Sequence, residues 1–233
     1  VVQRSMLPTN NTKGTLICFY LYHQATTIKL NEILSANVAG INSTPKMHYF
    51  FSLAKRMNAM ITFFQECKLK HEDLPVLKLK WGSDYVFLSS TDRPSRGVIT
   101  MLHPSLQPEI IQTDICPRGQ FIIITFRTSG TLYTVANVYG DPDTDQAALD
   151  TMTRIHNILN DIKTNLNPKI IIGGDFNTTL EARDSTGPQP KPRAANRLLQ
   201  MITSLDLYDI QALTSHMPRH TYYQHNHEHI HSR

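Results

Sequence analysis

Cysteine is scarce in this sequence: Cys18, Cys67 and Cys116 are the only three in 233 residues. They are odd in number and widely spaced, with no C-x-x-C pair. That excludes a disulfide framework and predicts a reducing, intracellular setting, nuclear or cytoplasmic. Long apolar runs are missing as well. The longest near the start, "LICFYLY" at 16 to 22, falls far short of the roughly 20 residues a helix needs to cross a bilayer. It lacks the flanks of a secretory signal, so no membrane partner is expected. Charge is nearly balanced, at +4 with pI near 8.9. That suits a polyanionic partner without demanding one. No close repeat and no low-complexity block is present. What remains is a globular composition, 40% hydrophobic and 18% charged, long enough to bury one core.

The apolar pattern repeats one plan twice. "NEILSANV" at 31 to 38 reads as a strand, Ser43 and Pro45 open a helix, and "AMITFF" at 59 to 64 follows as a buried strand ending at Gln65-Glu66. Later, "TLYTVANVY" at 131 to 139 is a strand, and Asp143 or Thr144 caps a helix. Its Ala148, Met152, Ile155, Leu159, Ile162 and Leu166 keep 4-3-4-3-4 spacing. "KIIIGG" then runs into Asp175. Shorter strands are predicted at 84 to 90, 97 to 102 and 121 to 126, the last joined to "TLYTVANVY" by a hairpin-like "RTSG". A further helix carries Ala195, Leu198, Leu199, Ile202 and Leu205 on one side. Residues 15 to 30 read equally as a strand or an idle extension.

A strand–helix–strand crossover makes its two strands parallel, so their carboxyl ends leave the sheet on one side. The first unit puts Asn37 and Glu66 there, and the second puts Asn137 to Tyr139 and Asp175 to Asn177. If the units face each other, these groups share one rim, the usual ligand crevice of an open α/β arrangement. Carboxylates, amides and a phenol with no soft ligand favour Mg²⁺ and a phosphate substrate. The blander readings are a solvated strand-end carboxylate for Glu66, a turn cap for Asp175 and Asn177, a turn residue for Asn37 and a core-edge aromatic for Tyr139.

The strings "LSANVAGIN", "FFQECKL", "SRGV", "NVYGD", "GGDFNTTL" and "TYYQHNHEHIHSR", in that order and from about residue 31 to the end, resemble the endonuclease/exonuclease/phosphatase superfamily. Within it they are most similar to the apurinic-like endonuclease domain of LINE-type non-LTR retrotransposons. The resemblance implies a four-layered α/β sandwich, two packed mixed β-sheets flanked by helices. It implies a Mg²⁺-dependent enzyme, with Mn²⁺ as a substitute, that nicks DNA and leaves a 3′-hydroxyl to prime reverse transcription. A reverse transcriptase domain in the same polypeptide is the implied partner besides DNA. Carried over, Glu66 is the metal ligand, Asn37 an active-site amide and Tyr139 the phosphate-contacting tyrosine. Asp175 handles a proton during attack, and Asn177 orients phosphate and water. Thr221 and Ser232 fall in a segment the family uses near DNA. The alternatives are an abasic-site repair nuclease or other phosphoesterase of the same superfamily, and a catalytically dead remnant that binds nucleic acid.

Several features depart from that pattern or remain open. Ala39 stands where the family's first motif has a second amide, and Cys67 where it has threonine. The Ile-Asp and Ser-Asp-His that follow "SR" in the family do not follow Ser232-Arg233. Val1 opens the sequence in place of Met. The expectation is therefore a piece of something longer: residues 1–30 a partly disordered extension, residues 31–233 the domain. The last strands would be missing and activity impaired. Lys191, Arg193 and Arg197 are either contacts to DNA phosphates or an ordinary solvated helix start. His225, His227, His229 and His231 alternate, which suits either Zn²⁺ or Ni²⁺ binding or a solvated, compositionally biased loop.

Overall fold

The computed structural model describes residues 19–22, 33–92, 95–180, 191–209, 222–223 and 231–232. In chain order the strands and helices are β1 (Phe19–Tyr22), β2 (Ile33–Asn37), α1 (Thr44–Arg56), β3 (Ile61–Gln65), α2 (Leu74–Trp81), β4 (Val86–Ser89), β5 (Val98–Leu102), β6 (Glu109–Ile115), β7 (Phe121–Thr128), β8 (Thr131–Tyr139), α3 (Asp145–Leu166), β9 (Lys169–Asp175), α4 (Pro192–Ser204), β10 (Tyr208–Asp209), β11 (Tyr222–Tyr223) and β12 (His231–Ser232).

Two sheets result. One has four strands in the order β2-β3-β5-β4, the other six in the order β10-β1-β9-β8-β7-β6, and β11 and β12 form a separate two-stranded ribbon. In each main sheet the strand–helix–strand unit supplies the parallel pair: β2 with β3, and β8 with β9. The remaining pairs are antiparallel, so both sheets are mixed.

Three apolar layers follow from the two-residue period of the strands. Leu34, Ala36 and Phe64 face α1 and α2, packing with Phe50, Phe51, Leu77 and Trp81. Ile170, Ile172, Ala136 and Val138 face α3 and α4, packing with Met152, Ile155, Leu159, Leu198 and Met201. Between the sheets, Ile33, Ile61 and Phe63 meet Ile122, Ile124, Phe126, Tyr133, Val135 and Ile171. The fold is thus the expected four-layered α/β sandwich, helices outside and two sheets face to face.

One polar knot crosses the middle layer. Gln65 Nε2 donates to Asn137 Oδ1 at 2.8 Å and to Ser35 Oγ at 3.2 Å, while Asn137 Nδ2 donates to the Ile99 carbonyl at 2.8 Å. All three side chains are buried. Buried amides matched in this way tie the two sheets in one register.

Four local features go beyond the sequence reading. Phe19–Tyr22, in the stretch that read equally as a strand or an idle extension, pairs antiparallel with Ile171–Gly174 and inserts between β9 and β10. Helix α2 goes unforeseen because "VLKLKW" alternates like a strand, while only Leu77 and Trp81, one turn apart, are buried. Strand β6 goes unforeseen because none of its seven residues is buried, so no alternation marks it. In α4 the apolar face is Ala194, Ala195, Leu198 and Met201, and Leu199 is 55% exposed. No helix among the described residues is long and apolar enough to cross a membrane.

Candidate active site

The same alternation that builds the middle layer delivers the polar groups. Continuing the inward-facing series of each strand past its apolar part reaches Asn37 after Ile33 and Ser35, Tyr139 after Tyr133, Val135 and Asn137, and Asp175 after Ile171 and Gly173. Glu66 is out of phase, one residue beyond inward-facing Gln65. Its φ of 52° lies in the left-handed region, unusual for a residue with a side chain. The strand thus turns at Glu66, and its carboxylate joins the others.

There the groups converge. Asn37 Nδ2 donates to Glu66 Oε1 at 3.0 Å and to Asp175 Oδ2 at 2.9 Å. Tyr139 donates its hydroxyl to the same Glu66 Oε1 at 3.0 Å. Asn177 donates its backbone N–H to Asp175 Oδ1 at 3.0 Å and its side-chain amide to the Gly140 carbonyl at 2.8 Å. Lys68 Nζ stands 3.5 Å from the other Glu66 oxygen. Asn37, Tyr139 and Asp175 are buried, and the Glu66 side chain is a quarter exposed, at 25%.

Electrostatics follow from burial. Desolvation pushes the Asp175 carboxyl above the usual carboxylate value. The hydrogen bonds from Asn37 and Asn177 pull the other way, and the charge on Glu66 adds to the rise. Desolvation and the adjacent Glu66 carboxylate hold the Tyr139 phenol well above its ordinary value, so it stays a hydrogen donor. Burial also pushes the Cys67 thiol well up, as befits a core residue rather than a nucleophile.

Backbone geometry at the rim is specialised. Ala39, Glu66, Lys68 and Asn177 all have positive φ, between 46° and 55°. Such residues cluster where surrounding structure over-determines the chain. Ala39 closes an Asx turn, its N–H donating to Asn37 Oδ1 at 3.0 Å, and its carbonyl accepts from Lys46 Nζ at 3.1 Å. Gly174 (φ 139°) and Gly140 permit close backbone contact: a Cβ at Gly174 would overlap the Val138 carbonyl oxygen, and one at Gly140 that of Phe176.

A second tier was not foreseen from sequence. Arg96 donates to Asp141 at 2.6 Å and to Asp143 at 2.7 Å. Gln120 Nε2 donates to Asp141 at 3.2 Å, and the Lys191 ammonium donates to the Asp141 carbonyl oxygen. The only sequence signals were that Arg96 and Asp141 sit inside the "SRGV" and "NVYGD" strings. Burial works against the Arg96 charge, but Asp141 and Asp143 outweigh it and its pKa is raised.

The three basic candidates part company. Lys191 is buried beside the site. Arg193 pairs with Asp145 at the start of α3 at 3.1 Å, and Arg197 donates to Asn157 at 3.1 Å, both on the α3–α4 seam. Thr221, His225, His227 and His229 lie outside the described residues. Ser232 pairs through its backbone with Tyr222, and His231 with Tyr223.

The donor set fits a hard divalent cation. Two carboxylates and neutral amides, with no thiol, are oxygen-rich and suit an ion that keeps several waters and few protein ligands. Among the described residues no group of three or more His, Cys, Asp or Glu forms a larger cage. Glu66 is the group able to hold such an ion, since one oxygen is fixed by Asn37 and Tyr139 and the other faces the Lys68 ammonium.

Comparison with known proteins agrees with this architecture. The Endonuclease/Exonuclease/phosphatase family model matches residues 34–229. The "Transposon TX1 uncharacterized 149 kDa protein" of Xenopus laevis is 27% identical over 182 residues, 77% of this chain and 13% of that protein. This chain therefore spans a small part of that relative. Among solved structures, AP endonuclease LMAP from Leishmania major superposes with a TM-score of 0.65 at 13% identity, covering 91% of this chain and 75% of that one. The endonuclease domain of TRAS1, a telomere-specific non-LTR retrotransposon, does so with 0.55 at 15% identity, covering 86% and 81%. At such identities the structural likeness speaks for the fold.

Proposed function

The chain belongs to the Endonuclease/Exonuclease/phosphatase family, a family of nuclease and phosphatase hydrolases, and on that premise we propose that it is a divalent-metal-dependent phosphodiesterase that nicks DNA as the endonuclease domain of a LINE-like element. The observation that carries this reading is the Asn37 amide bridging Glu66 of one strand–helix–strand unit to Asp175 of the other. A hydrolytic centre needs a cation ligand and a proton carrier held apart yet close, and Asn37 does that without neutralising either.

The roles follow from the chemistry. Glu66 would hold Mg²⁺ or Mn²⁺, which when bound neutralises phosphate charge and eases departure of the leaving oxygen. Tyr139, kept protonated, donates to Glu66 at rest and is placed to donate to a phosphoryl oxygen. Asp175, with its raised proton affinity, accepts the proton of the attacking water. Asn177 orients phosphate and water with an amide whose own direction is set by the Gly140 carbonyl. The likeness to a transposon protein and to a retrotransposon endonuclease supports DNA as substrate and a reverse transcriptase as covalent neighbour.

The test is cleavage of supercoiled plasmid against a duplex carrying one abasic site, each with Mg²⁺, Mn²⁺ or EDTA. Metal-dependent conversion of intact plasmid to open circles supports the reading. Cleavage confined to the abasic duplex supports a repair-type nuclease, and no cleavage of either with any metal overturns the assignment.

A further inference from the structure

The turn after β8 is tied down from three distant parts of the chain, and the ties meet on Asp141. Its carboxylate is buried. Oδ2 accepts from Arg96 Nη1 at 2.6 Å and from Gln120 Nε2 at 3.2 Å, and Oδ1 accepts from the backbone N–H of Asp143 at 3.0 Å. Its carbonyl oxygen accepts from the Lys191 ammonium. Gln120 also holds the end of β8, its carbonyl accepting from Tyr139 N–H, two residues before Asp141, at 2.6 Å. Between Tyr139 and Asp141 lies Gly140, whose N–H donates to the Asp175 carbonyl at 2.7 Å and whose carbonyl orients Asn177.

Loops following strands are ordinarily the mobile part of a site. Here a buried carboxylate, costly unless fully paired, collects a guanidinium, an amide and a backbone N–H. The Gly140 carbonyl is thereby fixed in space. Lys191 is only 6% exposed, and a buried ammonium pointing at a backbone carbonyl cannot reach a solvent-side phosphate without leaving that burial. Burial lowers its pKa, and the charges of Asp141, Asp175, Asp143 and Asp145 around it pull the other way.

We propose that Asp141 is a positioning residue for the Asn177 amide, and that Lys191 serves with it as an internal cation holding the turn, not as a contact to nucleic acid. The proposal rests on the reading of Asn177 as the group that orients the phosphate. It adds two residues that act through others: Asp141 sets Gly140, Gly140 sets Asn177, and Lys191 holds the Asp141 main chain.

The experiment reads Asn177 directly. In ¹⁵N–¹H spectra of the full chain, the side-chain NH₂ cross-peaks of Asn177 are followed in Asp141→Ala and Lys191→Met, with Asp141→Asn as the conservative variant that keeps an acceptor for Gln120. The expected result is movement of those peaks toward free primary amide positions, with water exchange at least ~10-fold faster, and a smaller shift in Asp141→Asn. Folded Lys191→Met and Asp141→Asn with unmoved Asn177 peaks overturn the proposal. Those two variants decide the matter if Asp141→Ala does not fold. DNA affinity against salt is the second readout. For Lys191→Met the slope of log K on log salt is expected to be unchanged, and a slope smaller by about one phosphate contact overturns the internal-cation role. A chain that neither nicks nor binds DNA sinks the proposed reaction and leaves the Asn177 readout to judge the positioning.

Discussion

Asn37 and Asp175 stand 138 positions apart in sequence, and their side chains meet at 2.9 Å. The contact joins the carboxyl end of a strand in one sheet to that of a strand in the other, so it reports both the packing of the sheets and the integrity of the site. Asn37→Ala removes a donor from two carboxylates at once. Nicking is expected to fall by about 10²-fold, the usual loss when a preorganised donor is deleted, while the fold persists through the separate Gln65–Asn137 knot. Nicking within about threefold of the parent chain would remove the bridge from the mechanism.

Cation binding isolates Glu66. Glu66→Gln keeps an oxygen for Asn37 and Tyr139 but loses the charge. Mn²⁺ affinity, followed by the electron paramagnetic resonance signal of the free ion, is expected to weaken about tenfold or more. An unchanged affinity would place the cation elsewhere.

How much of this could be read from the sequence differs residue by residue. Asn37, Tyr139 and Asp175 were legible because strands buried on both faces announce themselves as apolar runs and a parallel pair sends its ends one way. Simple counting by twos then fixes their facing. Glu66 breaks that count through its positive φ, so its place at a strand end put it on the rim but counting by twos could not fix its facing. Asp141 was invisible as a hub, since Arg96, Gln120 and Lys191 reach it across 45, 21 and 50 positions, and no local pattern encodes such a meeting. Lys191 read as either a DNA-phosphate contact or a solvated helix start, and its burial was missed because burial of a lysine depends on what packs over it. Strand β6 was lost for the opposite reason: edge pairing through the backbone needs no apolar side chain.

The departure at Ala39 has a measurable consequence. At φ 46° alanine sits in the left-handed region, which costs an L-residue roughly 1–2 kcal/mol and suits asparagine better. Ala39→Asn is expected to raise unfolding free energy by about 1 kcal/mol in urea titrations. Ala39→Val, β-branched at the same φ, is expected to lower it. The reverse order would show that the Asx turn with Asn37 does not hold residue 39 in that conformation.

Acid stability turns on His156, at the α3–α4 seam. Its Nε2 lies 2.7 Å from Ser204 Oγ, and its Nδ1 is buried with no partner among the described residues. Burial, with the Arg197 charge adding to it, lowers the imidazole pKa below its ordinary 6.5. The unfolded chain therefore binds a proton at higher pH than the folded one. The stability contributed by neutral His156 is complete above about 6.5 and is lost as pH falls through that value toward the lower folded pKa. Urea midpoints at pH 7.5 and 5.5 should show a drop that is smaller in His156→Gln, whose amide can still reach Ser204 but does not titrate. The surface carboxylates are common to both proteins and cancel in the comparison. An equal drop in the two would mean that His156 takes up its proton in the folded chain as readily as in the unfolded one, and that the seam opens to water around it.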